Sequence, residues 1–490
     1  MNTSIRRTAA GLLVGFLLLV LNLTYLQAIA GPRYRDDLRN RRVQVARAET
    51  ERGPILSREG VVLAQSRIQS DGSFLRVYPE GSLYAHTVGF SSLLFGDRGL
   101  ERTRAQQLAA SPSGTISAII DSLLGRARAA LGLRLTLSHT LQTAAAVALG
   151  NQTGAVVALD PTTGEVLAYY SSPMFDPALL LGEASAPGDA LEADPTQPLL
   201  DRAGYATYAP GSAFKIITAA AGLEAGSINS GSEFPNPEQL ALPGSSATIS
   251  NFGGGRCGPA DTATVADAFR LSCNTVFAQV AMELGAEELV ARAEAAGFNQ
   301  AIPFELAVLD SAIPSAESFA NDRPGLGQTG IGQRDLRATP LQMALVAAAV
   351  ATDGSIMNPY LVEEVFTASL QVRERAEPRV WKRAMSPGTA AALRELMLGA
   401  VASGTGTRAQ VDGVSVGGKT GTAEVPGGAP HAWFVGFATI DDESLALAVL
   451  VESGGALGEE ATGGSVAAPI AGAIISAWSQ ITPLHLSSPE

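Results

Sequence analysis

Apolar residues dominate one long stretch of this chain and then recur in short bursts. Residues 8–31 carry no charge, are rich in Leu, Val and Ala, and follow directly on Arg6 and Arg7. The run meets the ~20-residue length of a membrane-crossing helix. Ala28-Ile29-Ala30 has the A-x-A form of a cleavage site, but a signal core is typically ~7–15 residues, so an uncleaved anchor is expected. An arginine-rich stem over 33–47 is expected to be helical. Short apolar runs between turn residues over 50–105 predict small strands, and the Ala/Leu-rich segment 105–132 predicts a helix.

Residues 141–149 have helical character. Two apolar strands follow at 154–160 and 164–168, joined by the turn residues Asp160-Pro161-Thr162-Thr163-Gly164, which predicts a hairpin. The Ala/Pro/Asp-rich stretch 184–198 reads as a loop. A helix is expected over 212–223, with Pro210 and Gly211 just before it. Residues 226–261 form a long Gly/Ser/Pro-rich insertion, and 341–350 is apolar enough to be a buried helix. Strands are predicted at 416–424, 432–439 and 445–452, then a closing helix at 467–481. Two strands, many helices and three more strands predict one sheet assembled from both ends of an α+β domain. The expected division is a cytoplasmic tip and anchor at 1–31, a non-catalytic pedestal module at 32–133, and a catalytic domain at 134–490.

Composition removes several functions. A net charge of −13 and a pI near 4.9 argue against a nucleic-acid partner. Four scattered histidines and two cysteines, Cys257 and Cys273, give no metal-ligand spacing, and no G-x-G-x-x-G precedes an acidic partner. No metal or cofactor is expected.

Lysine use is selective: among 490 residues only Lys215, Lys382 and Lys419 occur. Lys382 has no motif around it and reads as a solvated cation. Lys215 closes Ser212-Ala213-Phe214-Lys215. Serine is a poor nucleophile without a base, and positions i and i+3 share a helix face, so Lys215 can stand beside the Ser212 hydroxyl. An ordinary lysine is neutral in about one molecule in 2,500 at pH 7, so burial and a like charge such as Lys419 must lower its pKa. Ser272-Cys273-Asn274 is expected to begin a second helix, with Ser272 relaying a proton to a leaving group and Asn274 holding a substrate amide. Lys419-Thr420-Gly421-Thr422 is expected on an edge strand that can pair with an extended peptide. There Gly421 leaves room for a ligand and Lys419 attracts a carboxylate. The backbone N–H groups of Ser212 and Thr422 are oxyanion-hole candidates.

The ordered Ser-x-x-Lys, Ser-x-Asn and Lys-Thr-Gly motifs resemble the signature of penicillin-binding proteins and class A β-lactamases. Cys273 stands where the β-lactamase pattern has Asp, which favours a penicillin-binding protein. The chain is similar to class B penicillin-binding proteins, of the penicillin-binding protein A type, over nearly its whole length. The likeness is carried by Arg52-Gly53, Ile55, Arg58, Gly60, Tyr78-Pro79, Gly99-Leu100-Glu101, Gly330-Ile331-Gly332-Gln333, Gly404-Thr405-Gly406 and His431-Ala432-Trp433. Ser57 departs from it, at a position where the family often has an acid.

The resemblance implies a five-stranded antiparallel sheet between helices and a D,D-transpeptidase that cross-links peptidoglycan stem peptides and is acylated by β-lactams. Thr420 and Thr422 would join Lys419 at the terminal carboxylate. A separate membrane glycan polymerase is the implied partner, since the residues before the catalytic domain are too few for a fused one. Water as acceptor would make a carboxypeptidase or β-lactamase, and an inactive scaffold would not need the intact motifs. The chemistry places the catalytic domain outside the cytoplasm. Arg33, Arg35, Arg39, Arg41 and Arg42 oppose that by the positive-inside rule, but long domains translocate largely regardless of charge. Outside the cell a Cys257–Cys273 bridge, tethering the insertion beside the second motif, is expected.

Two other signatures overlap the third motif. Residues 413–420 match the phosphate-loop pattern and Gly413-Val414-Ser415-Val416-Gly417 matches a nucleophile elbow, yet the residues after them cannot open the helix that either needs.

Overall fold

The computed structural model describes residues 2–26, 50–109, 129–182 and 184–486. The stem expected over 33–47, the Ala28-Ile29-Ala30 site and most of the helix expected over 105–132 lie outside them. At its start Ala105–Leu108 is one helical turn, and at its end the strand Gly132–Leu135 begins. The N-terminal helix Asn2–Thr24 has no buried side chain among those described, and its Thr3–Thr24 stretch is long and apolar enough to cross a membrane.

The central sheet has five antiparallel strands in the order Ser415–Val425, Gly428–Ile440, Glu443–Val451, Gly154–Leu159, Val166–Ser172. Both ends of the catalytic region contribute, as the apolar pattern predicts. Alternate residues of a strand face opposite ways, and here both faces are covered. Ala155, Val157 and Leu159 pack in one core with the helix Pro340–Ala351, which is buried from Pro340 to Val350. Val156 and Ala158 point into a second core with Leu141, Ile474, Ile475 and Trp478 from the helices His139–Leu149 and Ala468–Leu486.

A second sheet joins the two halves of the molecule. Its order is Val372–Arg375, Val362–Phe366, Gly132–Leu135, Ile55–Leu56, Val62–Ile68, Phe74–Val77. The Gly132–Leu135 strand runs across position 133/134, so the pedestal and the catalytic region share backbone hydrogen bonds. In the pedestal the fully buried Glu101 carboxylate accepts from Arg76 Nε at 2.6 Å and Arg52 Nε at 2.8 Å. Ser57 is buried and donates to Glu59, which also accepts from Ser138 Oγ and His139 N. Its carboxylate therefore bridges to the catalytic region.

Three local expectations change. Residues Ala186–Ala193 are helical rather than loop, because Pro187 falls in the first turn, where no N–H is required of it. The insertion is not bare loop: Glu233–Pro235 pairs with Thr262–Thr264, and Gln239–Ala241 with Thr248–Ser250. Lys382 is half-buried, with its amine bonded to Gln300 Oε1 and over the Trp381 ring, so it is partnered rather than simply solvated.

Candidate active site

Ser212 lies in the tight turn Gly211–Phe214, and the α-helix Lys215–Glu224 starts immediately after it. Gly211 has φ +52, and a Cβ there would stand 2.5 Å from Thr422 O. Only glycine lets this turn press against the Ser415–Val425 strand. Across the contact, a Cβ on Gly421 would meet Pro210 O at 2.6 Å and Ala213 N at 3.1 Å. The space expected for a ligand at Gly421 is therefore taken by the chain's own Ser212 turn.

Lys215 is fully buried. Its Nζ donates to Ser272 O and Asn274 Oδ1, both at 2.7 Å, and lies 3.4 Å from Ser272 Oγ. These bonds go to the second motif, not to Ser212. Lys419 is also fully buried and donates to Ser272 Oγ at 2.7 Å and to Thr420 O at 3.0 Å. Each amine stands 5.7 Å from an aromatic centroid, Lys215 over Phe277 and Lys419 over Phe269. In this apolar setting burial, reinforced by the charge of Lys419, holds Lys215 well below the ordinary lysine range. Burial alone lowers Lys419 to about 7.

Ser272 does not open the second helix as expected. It caps the end of Val265–Leu271 with left-handed backbone, φ 64, and Asn274–Leu284 begins two residues later. The side-chain cap of that second helix comes from a distance. Asn251 Oδ1, in the insertion, accepts from Asn274 N at 2.8 Å and Thr275 N at 3.1 Å, while Asn274 Nδ2 donates to Ser250 O at 2.9 Å. Cys273 is bridged to Cys257. Nothing local in the sequence marks Asn251 as a cap, because the two amides its Oδ1 accepts from are more than 20 residues away.

Lys419, Thr420, Gly421 and Thr422 lie on the Ser415–Val425 strand, at the edge of the five-stranded sheet. Residues 415–420 are strand, not a loop opening a helix, which removes both competing signatures. Thr420 Oγ1 is 2.5 Å from Thr405 Oγ1, and Thr422 Oγ1 accepts from Gly463 N at 3.3 Å. Ser212, Ser272, Asn274, Thr420 and Thr422 together line a cleft of about 1330 Å³, with Lys215, Lys419 and Gly421 behind its surface.

An outer brace escaped the sequence reading. Glu452 accepts from Tyr208 Oη at 2.5 Å and Arg202 Nε at 2.9 Å, four residues before Ser212 in the case of Tyr208. Burial, then the Glu452 charge, pushes the Tyr208 hydroxyl far up, so it remains a donor. Trp433 Nε1 donates to Ala209 O at 3.0 Å from the next strand.

Residues 154–476 match the family description "Penicillin binding protein transpeptidase domain", and residues 52–131 match "Penicillin binding protein A dimerisation domain". The chain belongs to the penicillin-binding protein family. It is 40% identical to the peptidoglycan D,D-transpeptidase PbpA of Mycolicibacterium smegmatis over 97% of this chain and 99% of that one. To the PbpA of Mycobacterium tuberculosis it is 39% identical, over 99% of this chain and 100% of the relative. Among solved structures, the penicillin G acyl-enzyme of penicillin-binding protein A from M. tuberculosis superposes with a TM-score of 0.80 at 37% identity, covering 88% of this chain and 100% of the other. A D,D-transpeptidase domain from Eggerthella lenta gives 0.79 at 36% identity, covering 89% and 100%. The fold of this penicillin-binding protein is thus that of transpeptidases, including one solved with a β-lactam attached.

Proposed function

We propose that this chain is a peptidoglycan D,D-transpeptidase, and that Ser212 is its nucleophile. The observation that carries the mechanism is the setting of Lys215. A neutral amine has two hydrogens and one lone pair. Its two 2.7 Å bonds use both hydrogens, on Ser272 O and Asn274 Oδ1. The lone pair then remains for the proton of Ser212, three residues away at the start of the same helical segment.

Ser212 Oγ attacks the carbonyl between the two terminal D-alanines of a donor stem peptide as Lys215 takes the proton. The oxyanion is stabilised by the N–H groups of Ser212 and Thr422. Ser272, hydrogen-bonded to Lys419 and near Lys215, passes a proton to the departing D-alanine amine as the C–N bond breaks. Asn274 positions the donor amide. Thr420 and Thr422 take the terminal carboxylate, with the Thr422 hydroxyl hydrogen free to donate because its oxygen is the acceptor for Gly463. Lys419 acts from behind them through its field. An acceptor amine then attacks the ester carbon and releases Ser212. A β-lactam enters the same path when its ring C–N bond opens onto Ser212.

Labelling with a fluorescent penicillin, followed by peptide mass spectrometry, tests this. The adduct is expected on the peptide containing Ser212 and absent from Ser212→Ala. An adduct elsewhere, or undiminished labelling of the variant, would reject the mechanism.

The same reading makes Asn2–Thr24 a membrane anchor with the catalytic region outside the cytoplasm. The Cys257–Cys273 bridge supports this, because disulfides persist in oxidising compartments. Protease added to intact cells should digest the catalytic region, and full protection would reverse the orientation. A membrane glycan polymerase is proposed as partner, with co-purification of polymerase activity as its test.

A further inference from the structure

Phe252 is 74% exposed, more than Phe16 of the N-terminal apolar helix at 71%. It nevertheless lines the cleft that holds Ser212, Ser272 and Asn274. A large ring left in water normally finds cover by a small movement of its loop, since burial of apolar area is favourable. Here the loop is tied on both sides. Before the ring, Ser250 O and Asn251 Oδ1 are bonded to Asn274 and Thr275. After it, Asn251 Nδ2 closes the loop onto Gly255 O at 3.0 Å, and Cys257 is bridged to Cys273. The backbone that carries Phe252 is therefore anchored to the second motif, while most of the residue is left exposed to solvent.

We propose that Phe252 is a specificity-determining residue that packs on the apolar part of the acyl donor upstream of the bond being broken. This rests on the transpeptidase reading above. With the reacting carbonyl at Ser212 and the carboxylate at Thr420 and Thr422, the rest of the donor leaves past Asn274. The wall on that side is the segment Ser250-Asn251-Phe252. The ring covers hydrocarbon there, such as the acylamino side chain of a β-lactam or the corresponding aliphatic part of a stem peptide, and discriminates against donors that lack it.

The test compares second-order acylation of the full chain by penicillin G and by 6-aminopenicillanic acid, which lacks the phenylacetyl group. The ratio of the two rate constants is expected to fall about tenfold in Phe252→Ala and to recover largely in Phe252→Leu, since the difference reports apolar contact in the transition state. Partial loss of folded protein cancels in this ratio. An unchanged or increased ratio in Phe252→Ala would overturn the proposal. Failure of both compounds to acylate wild-type Ser212 would instead overturn the transpeptidase reading, and this proposal with it.

Discussion

The two walls of the cleft are built by opposite means. The wall carrying Lys419, Thr420 and Thr422 is a sheet strand, paired residue by residue from Ser415↔Thr439 to Ala423↔His431 and locked by close backbone approach at Gly211 and Gly421. The wall carrying Ser272 and Asn274 is the junction of two helices, held by an insertion through Asn251, Ser250 and the Cys257–Cys273 bridge. In the first wall a side chain is placed by the regular geometry of its element. In the second it is placed by a few specific long-range bonds. The strand wall should therefore fail by steric intrusion and the insertion wall by loss of single polar contacts.

The largest expected effect lies where the walls meet. Lys215→Ala should lower the acylation rate about 10²–10⁴-fold, the range for a positioned general base, with thermal unfolding as the check on folding. A rate within a factor of a few of wild type would show that another group takes the proton.

Gly421→Ala attacks the strand wall. Its Cβ meets backbone at Pro210 and Ala213, which cannot rotate away, so a loss of about 1–3 kcal/mol of stability is expected together with slower acylation. Unchanged melting and acylation would mean that the strand and the Ser212 turn separate freely.

Asn251→Ala attacks the insertion wall by leaving Asn274 N and Thr275 N without their acceptor. A cost of about 0.5–2 kcal/mol is expected, in the range for loss of a helix cap. Acylation should fall more than stability does, because Asn274 also receives the bond from Lys215. Equal behaviour of Asn251→Ala and wild type in acylation assays would separate the insertion from the site.

The smallest effects concern charge. Acylation should rise with pH as Lys215 loses its proton. Lys419→Ala removes the like charge that helps to lower the Lys215 pKa, so the acid limb of the profile should move to higher pH. A shift to lower pH would contradict the assigned coupling. Lys419 itself titrates at about 7 when folded against an ordinary 10.5. Between those values the unfolded chain binds the extra proton, so this residue's cost to stability is full below about pH 7 and fades as pH rises toward 10.5. Unfolding measured across that window should show a smaller stability gain in Lys419→Ala than in wild type, because buried Lys215 still contributes its own.

Much of the strand wall was legible in advance. Strand runs predicted at 416–424, 432–439 and 445–452 located its strands, and an arginine-preferring sequence that kept only three lysines pointed to Lys215 and Lys419. The junction at Ser272 was misread as a helix start because the run Thr275-Val276-Phe277-Ala278 follows it so closely. Its left-handed backbone depends on how two helices meet, which no local pattern encodes. Gly421 was read as room for a ligand, whereas the neighbour that needs the space is the Ser212 turn, some 210 residues earlier in sequence. Asn251 and Glu452 carried no signal, since each acts through partners distant in the chain.

By itself the sequence determined the element order, the sheet assembled from both ends of the catalytic region, and the three motifs, because hydrophobic period and residue spacing are local properties. Only the tertiary structure decided that both lysine amines converge on Ser272, that an insertion caps the second motif and that Phe252 stands over the cleft. Burial, charge proximity and the pKa shifts they cause depend on which distant segments become neighbours.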